Sequence, residues 1–557
     1  MLDCTSVVSL SHDPAEVFNQ ARPLERYNVV AQDRVLVEAL EREGAAWARE
    51  RVLAVGAVAG GEAIAWGYEA NTNVPTLRTH DRFGHRIDEV AFHPAWHALM
   101  RTSVAHSLHA LPWREPEPGA HVARAAMVIA MSQAEGGHIC PITMTFAAVP
   151  ALRVQPDLAA EWEPRLTATT YEPELRDPAT KTSVLCGMAM TERQGGSDVR
   201  ANTTLATPLR ADGEYLLNGH KWFCSAPMCD AFLVLAQTGA GLTCFLLPRV
   251  LEDGQRNGLR IERLKDKLGN RSNASSEIEL RGAFARRVGE EGRGVQTIIE
   301  MVNHTRLDCV LGSTAIIRQG TAQATHHAAQ RSAFGSPLLE QPLMANVLAD
   351  LCVESEAATI TALRLARAYD EAPTDERAAH FKRIATAVAK YWITKRGPMH
   401  AAEALECLGG NGYVEDCVPA HPMPRLYRES PLNSIWEGSG NVICLDVLRA
   451  LRRSPEVLDA FMAEVSEAAG AEPRLDTFTA ALRRDLADPE ALESGARRVV
   501  ERMALALQGS LLVRHGAPAV ADAFCASRLA GDAGLAFGTL PTGVDHAAII
   551  ERHRPRV

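Results

Sequence analysis

The sequence predicts an α+β protein in four successive parts: a mainly helical region over residues 1–181, a β domain over 182–290, a helical bundle over 291–453 and a helical extension over 454–557. Three observations carry this. Apolar residues recur with helical spacing on both flanks of the chain, as in residues 31–50 and 343–369. Between residues 182 and 290 the pattern changes to short apolar runs separated by turn dipeptides. After Arg453 the remaining residues return to helical periodicity.

Taken in order, residues 31–50 place Val35, Leu36, Ala39 and Leu40 on one helical face with charges opposite. Residues 66–94, rich in Asn, Pro, Gly and Asp, read as long ordered connections, and residues 112–119 as a proline-rich bend. Residues 122–133 repeat the helical spacing with the apolar content of a buried helix. His93 and His97 stand four residues apart, but Pro94 lies between them and no carboxylate does, so no metal site is expected. In the β region Val184 and Leu185 read as the end of a strand. Further strands are expected at 215–217, 222–223, 232–235, 243–247, 259–261 and 276–280, with Asp212-Gly213, Asn218-Gly219 and Asp253-Gly254 as turns. Residues 343–369 and 378–396 read as long helices.

Composition narrows the function. The 557 residues are 46% hydrophobic and 23% charged, as in a globular protein with a large core. A net charge of −10 argues against coating nucleic acid through overall charge and leaves room for a local basic patch. Twelve cysteines without a repeated Cys-x-x-Cys spacing read as reduced thiols. Residues 1–10 carry no basic n-region, and no apolar run reaches the roughly 20 residues of a membrane span, so a cytoplasmic protein is expected. The tail after Arg453 holds eleven arginines, no lysine and fifteen acids; its arginines cluster at 483–484 and 497–502, just beyond Arg449, Arg452 and Arg453. Such clusters are either solvated faces or a patch for phosphate.

The most informative stretch is 189–201 (AMTERQGGSDVRA). Thr191 and Ser197 can donate and accept hydrogen bonds, and Gly195 and Gly196 carry no Cβ to hold a bound group off the backbone. It is either a polar surface turn or a cradle for something polar and flat. The whole string resembles the first signature of the acyl-CoA dehydrogenase flavoproteins, in which this loop holds FAD. The resemblance implies that family's fold, with an N-terminal helical domain, a central β-barrel-like domain and a C-terminal helical bundle, here with an extra C-terminal helical domain.

Other strings resemble the same family. Residues 219–225 (GHKWFCS) are similar to its second flavin-contacting strand, with Ser225 at the position near flavin N5 and Phe223 where a tryptophan is usual. Arg331, Phe334 and Gln341 match a segment that reaches the FAD of a neighbouring subunit, and residues 408–413 (LGGNGY) match one that contributes backbone to another chain's FAD. The resemblance therefore implies FAD contacts from Met188, Met190, Thr191, Gly196, Ser197, Phe223, Cys224, Ser225, Arg331, Phe334, Gln341, Gly409, Gly410, Ile435, Trp436, Gly438, Ser439 and Asn441. It also implies a homodimer or a homotetramer, the latter as a dimer of dimers. Residues 417–423 (CVPAHPM), after Asp416, look like an insertion beside the active-site entrance.

Glu437 matches the family's catalytic glutamate. Dehydrogenation across Cα–Cβ of a thioester needs a base for the α-proton while the β-hydride leaves to the flavin, and a desolvated carboxylate has its pKa raised toward that task. The other role open to Glu437 is capping the following helix.

The finer resemblance is to the AidB branch, flavoproteins associated with the bacterial adaptive response to DNA alkylation. It rests on residues 17–20, 92–97, 140–147, 266–275 and 433–441 and on the C-terminal extension. Members bind FAD, show at most feeble dehydrogenase activity and bind duplex DNA without sequence preference. Arg449 is the one DNA-contacting arginine that carries over. Two functions are thus implied: an AidB-like flavoprotein of the alkylation response, or a metabolic acyl-CoA dehydrogenase acting on an acyl-CoA thioester.

Overall fold

The structure, a computed structural model, describes residues 17–209, 211–415, 422–487 and 492–557. At its centre lies a helix of 37 residues, Gly294–Gln330, about 55 Å long at 1.5 Å per residue. It packs against Ala120–Ala134, Ile139–Leu152, Pro342–Glu371 and Glu376–Glu406. Every residue of Ala120–Ala134 is buried, as its apolar content predicts. The helices on both flanks of the β region share one apolar core with those of the C-terminal extension, Glu456–Ser466, Pro473–Leu486, Ala496–His515, Pro518–Phe524 and His546–His553.

Two strands, β1 (Thr76–His80) and β2 (Arg86–Ala91), form a hairpin in the N-terminal part. The β region contributes β3 (Cys186–Ala189), β4 (Leu205–Pro208), β5 (Glu214–Ser225), β6 (Ala231–Thr238), β7 (Gly241–Pro248), β8 (Leu259–Leu264) and β9 (Ser275–Val288). Their order is β3-β6-β4-β5-β9-β7, with β8 on β9, and β7 pairs back onto β6. The sheet therefore closes into a barrel around its own core, in which Phe232, Leu233, Phe245 and Leu247 are fully buried or nearly so.

Several expectations are corrected. Residues 31–50 are not one helix: Arg34–Leu40 gives way to an irregular turn at Gly44, whose φ is 94°, before Arg49–Ala59 begins. The break accommodates a close crossing, since a Cβ on Gly119 would lie 2.5 Å from the Gly44 carbonyl oxygen. Residues 66–94 are not connections but the helix Glu62–Thr72 followed by the β1–β2 hairpin. Gly67 lets that helix sit against another: a Cβ there would be 2.6 Å from the Ala134 carbonyl oxygen. Val184 and Leu185 precede β3 rather than ending a strand. Asn218-Gly219 is no turn; β5 runs through it with a register shift, where a Cβ on Gly219 would strike Thr204 Oγ1 at 2.5 Å. The apparent insertion at 417–423 falls largely outside the described residues.

Candidate active site

The 189–201 loop is organised from beneath by a buried ion pair. Glu192 and Lys221 are both 0% exposed, and the Lys221 ammonium donates to Glu192 Oε1 at 2.8 Å. Glu192 also accepts from the backbone N–H and hydroxyl groups of Thr203 and Thr204 at 2.6–3.1 Å. Burial opposes the ionised form, but Lys221 and these donors outweigh it and hold Glu192 far below the usual carboxylate range. Lys221 lies on β5 and reaches the Leu235 carbonyl on β6 at 2.7 Å, so one ion pair ties the loop to two barrel strands.

Above this pair the flavin-motif residues come together. The Trp222 backbone N–H donates to the Thr191 carbonyl at 2.8 Å, which sets Thr191 against the stretch of β5 that carries Phe223 and, further on, Ser225. A Cβ on Gly196 would lie 2.4 Å from Thr191 Oγ1, so the glycine is what gives this hydroxyl its place. Phe223 leaves its ring 51% exposed while Cys224 beside it is buried, with Lys265 Nζ 4.4 Å from the ring centroid. Met188, Met190, Thr191 and Ser225 are half-buried; Ser197 is exposed. A half-exposed ring, a line of hydroxyls and glycine-freed backbone fit a flat, hydrogen-bonding dinucleotide such as FAD.

Glu437 is delivered to the same end of the barrel. It has a φ of 57°, rare for a residue with a Cβ, and Gly438 follows at 106°. Three contacts hold this backbone: Arg306 Nε donates to the Glu437 carbonyl at 3.0 Å, and Lys390 Nζ donates to the carbonyls of Trp436, at 2.9 Å, and Gly438. Arg306 is itself fixed by Asp446 at 2.8 Å, and Asp446 is shared with Arg383. Thr305 Oγ1 donates to Glu437 Oε2 at 2.8 Å. Burial raises the Glu437 pKa, opposed by Thr305, Arg306 and Lys390. Glu437 does not cap the next helix, Gly440–Arg453, whose N-cap is Ser439. Trp436 packs on the same apolar cluster as Met188 and Met190, with its indole N–H on Asn433 Oδ1 at 3.1 Å. Ile435, Ser439 and Asn441 are exposed around it.

The remaining predicted flavin residues lie elsewhere. Arg331 ends the long helix, 26 residues beyond Thr305 and about 39 Å from it along the axis. There Arg331 donates to the Asn19 carbonyl, Ser332 pairs with the Asn19 side chain at 2.8 Å, and Asn411 Nδ2 donates to Gln20 Oε1 at 3.0 Å. Phe334 stands 99% exposed beside them, Gln341 donates to the Ala333 carbonyl at 3.0 Å, and Gly409 and Gly410 are exposed. Sequence reading missed Thr305, Arg306, Lys390, the Glu192–Lys221 pair and two neighbours of the site, Cys140 and Lys267. His93 and His97 serve other ends: His93 caps Pro94–Ala105, and His97 Nδ1 is 2.9 Å from the Tyr171 hydroxyl. Among the described residues all ten cysteines are free and buried, and no helix is long and apolar enough to cross a membrane.

Comparison with known proteins places this geometry in context. Residues 19–173 match the adaptive response protein AidB N-terminal domain, 187–283 the acyl-CoA dehydrogenase middle domain and 292–452 the acyl-CoA dehydrogenase C-terminal domain. The chain is 45% identical to the AidB protein of Escherichia coli (strain K12) over 512 residues, 91% of this chain and 93% of that one. It is 31% identical to acyl-CoA dehydrogenase family member 11 of Caenorhabditis elegans over 72% of this chain and 67% of that one. Among solved structures, Caenorhabditis elegans ACDH-11 in complex with C11-CoA is similar with a TM-score of 0.85 at 27% identity, over 95% of both chains. The Bd2924 apo-form is similar with a TM-score of 0.81 at 27% identity, over 90% of this chain and 100% of that one.

Proposed function

Because this chain belongs to the acyl-CoA dehydrogenase family, in its AidB branch, we propose that it is an FAD-dependent dehydrogenase of an acyl-CoA thioester with Glu437 as its base. The observation that carries this reading is the Glu437 carboxylate, desolvated and held by Thr305 on a constrained backbone beside the flavin motif. When bound at Thr191, Gly196, Ser197, Phe223 and Ser225, FAD supplies a hydride acceptor. Glu437 takes the α-proton of the thioester as the β-hydrogen leaves with its electron pair, and a Cα–Cβ double bond forms. Arg306 and Lys390 keep the carboxylate aimed by holding the carbonyls on either side of it.

The separation of Thr305 from Arg331 supports a homo-oligomer, a dimer or a tetramer, in which copies complete one another's sites. One dinucleotide does not span the length of the helix between them, so Arg331, Phe334, Gln341, Gly409 and Gly410 serve the cofactor of another copy. Anaerobic mixing with acyl-CoA thioesters of graded length tests the reading. Flavin bleaching by at least one of them is expected; a yellow protein that no thioester bleaches contradicts it.

A second reading, non-specific binding of duplex DNA within the alkylation response, is favoured by one surface. Arg449, Arg452 and Arg453 are exposed at the end of Gly440–Arg453, and Arg497 and Arg498 are exposed at the start of Ala496–His515, which packs against it. Arg449 stays 57% exposed although its Nη1 reaches Asp446 at 3.4 Å.

A further inference from the structure

Beside the proposed reaction centre the surroundings are not uniformly apolar. Ser225 Oγ lies 3.2 Å from Ser275 Oγ, to which the Lys267 ammonium donates at 3.2 Å; Lys267 also donates to the Asn273 carbonyl. The Cys140 thiol lies among Ser225, Asn273, Lys267 and Glu437, and Lys267 in turn faces Glu135 and Glu429. A polar wall thus runs from Ser225 through Ser275 to Lys267, which interacts electrostatically with Glu135 and Glu429.

Glu429 is unusual on that wall. It is 4% exposed, yet Oε1 has no hydrogen-bond partner and the side chain makes no ion pair among the described residues. Neither nearby cation bonds it: Arg425 donates through Nη2 to the Ala134 carbonyl at 2.7 Å and Arg428 grips Glu415 through two bonds of 2.6 and 2.7 Å, while Arg425 Nη1 and Arg428 Nε have no hydrogen-bond partner. Glu135, which would compete for any donor, is occupied by His138, Ser272, Asn71 and the Gly137 N–H. Burial pushes Glu429 up to about 7, with Glu135 adding to it and Arg425 and Arg428 opposing. Asn273 Oδ1, 2% exposed as a residue, is likewise without a hydrogen-bond partner. Beside Glu429 the wall opens. Gly136 is half-buried, and a Cβ placed there would meet only Glu429 Oε2, at 3.5 Å.

Two unsatisfied buried acceptors cost free energy unless a ligand completes them. We propose that Glu429 and Asn273 form the specificity site for the far end of the acyl group, and that the substrate is an acyl-CoA carrying a hydroxyl on its chain in place of a plain saturated one. This inference rests on the dehydrogenase reading. The hydroxyl donates to one of the two acceptors, and the opening at Gly136 admits it. A saturated chain of equal length leaves both acceptors desolvated and unpaired, the situation in which buried polar sites discriminate most strongly.

The test uses the FAD-loaded protein and matched pairs: butyryl- and 4-hydroxybutyryl-CoA, hexanoyl- and 6-hydroxyhexanoyl-CoA, octanoyl- and 8-hydroxyoctanoyl-CoA. Affinity is read by calorimetry and turnover by flavin bleaching. The hydroxylated member of at least one pair is expected to bind at least about tenfold tighter. Glu429→Met, and independently Gly136→Leu, which fills the opening and leaves the carboxyl in place, are expected to abolish that preference. If the saturated member binds as well in every pair, or the preference survives both variants, the inference is overturned while bleaching by saturated thioesters leaves the dehydrogenase reading standing. If no member of any pair bleaches the flavin, both fall together.

Discussion

The Thr305 hydroxyl donates to Glu437 Oε2 at 2.8 Å across 132 residues of sequence. A donor to a carboxylate stabilises its ionised form, and here it works against the burial that raises the Glu437 pKa. Thr305→Val removes the donor and keeps the shape, so the Glu437 pKa rises further. The acidic limb of the kcat/KM profile is expected to move to higher pH, with activity recovered on the alkaline side. An unmoved limb would show that Thr305 does not govern the base.

The Glu192–Lys221 pair predicts a stability effect that reaches the cofactor. Lys221→Met leaves a fully buried carboxylate without its cation, a loss of roughly 3–5 kcal/mol in chemical denaturation. Because Glu192 also holds Thr203 and Thr204, the variant is expected to release FAD at lower denaturant than it unfolds. Glu192→Gln with Lys221→Met should recover part of the stability, since it removes the orphaned charge.

Much of the fold was legible because its signals are local. Turn dipeptides at Asp212-Gly213 and Asp253-Gly254 bounded real strands, and the apolar run at 122–133 is a wholly buried helix. The errors came where a glycine serves a tertiary contact. Gly67, Gly119 and Gly219 each permit a close approach to a distant backbone or side chain, which local sequence pattern does not reveal. The site divides in the same way. The flavin string and Glu437 stand out in sequence, whereas Thr305, Lys390 and Glu192 act through partners supplied by folding, with Lys390 bonding across 46 residues to Trp436.

The C-terminal helix predicts a distinctive pH dependence. Burial works against charge on His553, but the Cys352 thiol and the Glu356 carboxylate, 3.0 Å from Nε2, push its pKa up to about 10. Burial likewise opposes charge on Glu356, and His553 and Arg552 bring it down to about 2. A raised histidine pKa gives stability that is fully present below its unfolded value of about 6.5 and lost as pH climbs through about 10. The depressed Glu356 gives stability present above about 4.5 and lost as pH falls through about 2. The difference in Tm between the wild type and His553→Gln is therefore expected to be largest near pH 5–6 and to shrink steadily toward pH 10. A difference independent of pH would contradict the ion pair.

The arginine surface makes an ionic prediction. If the chain binds duplex DNA through phosphate contacts, log K falls linearly with log salt, and Arg449→Ala lowers the slope by about 1 without changing sequence preference. Anisotropy titrations at several salt concentrations measure this. Affinity that ignores salt, or a slope unaffected by Arg449→Ala, would remove Arg449 from the interface.

The central claim is that Glu437 removes the α-proton, and isotope exchange reads that step without requiring net turnover. Incubated in D2O with an acyl-CoA that the protein binds, the wild type is expected to exchange the α-hydrogen for deuterium by mass spectrometry. A folded, FAD-containing Glu437→Gln should exchange at least about a hundredfold more slowly. Equal exchange in the two proteins would show that another group is the base.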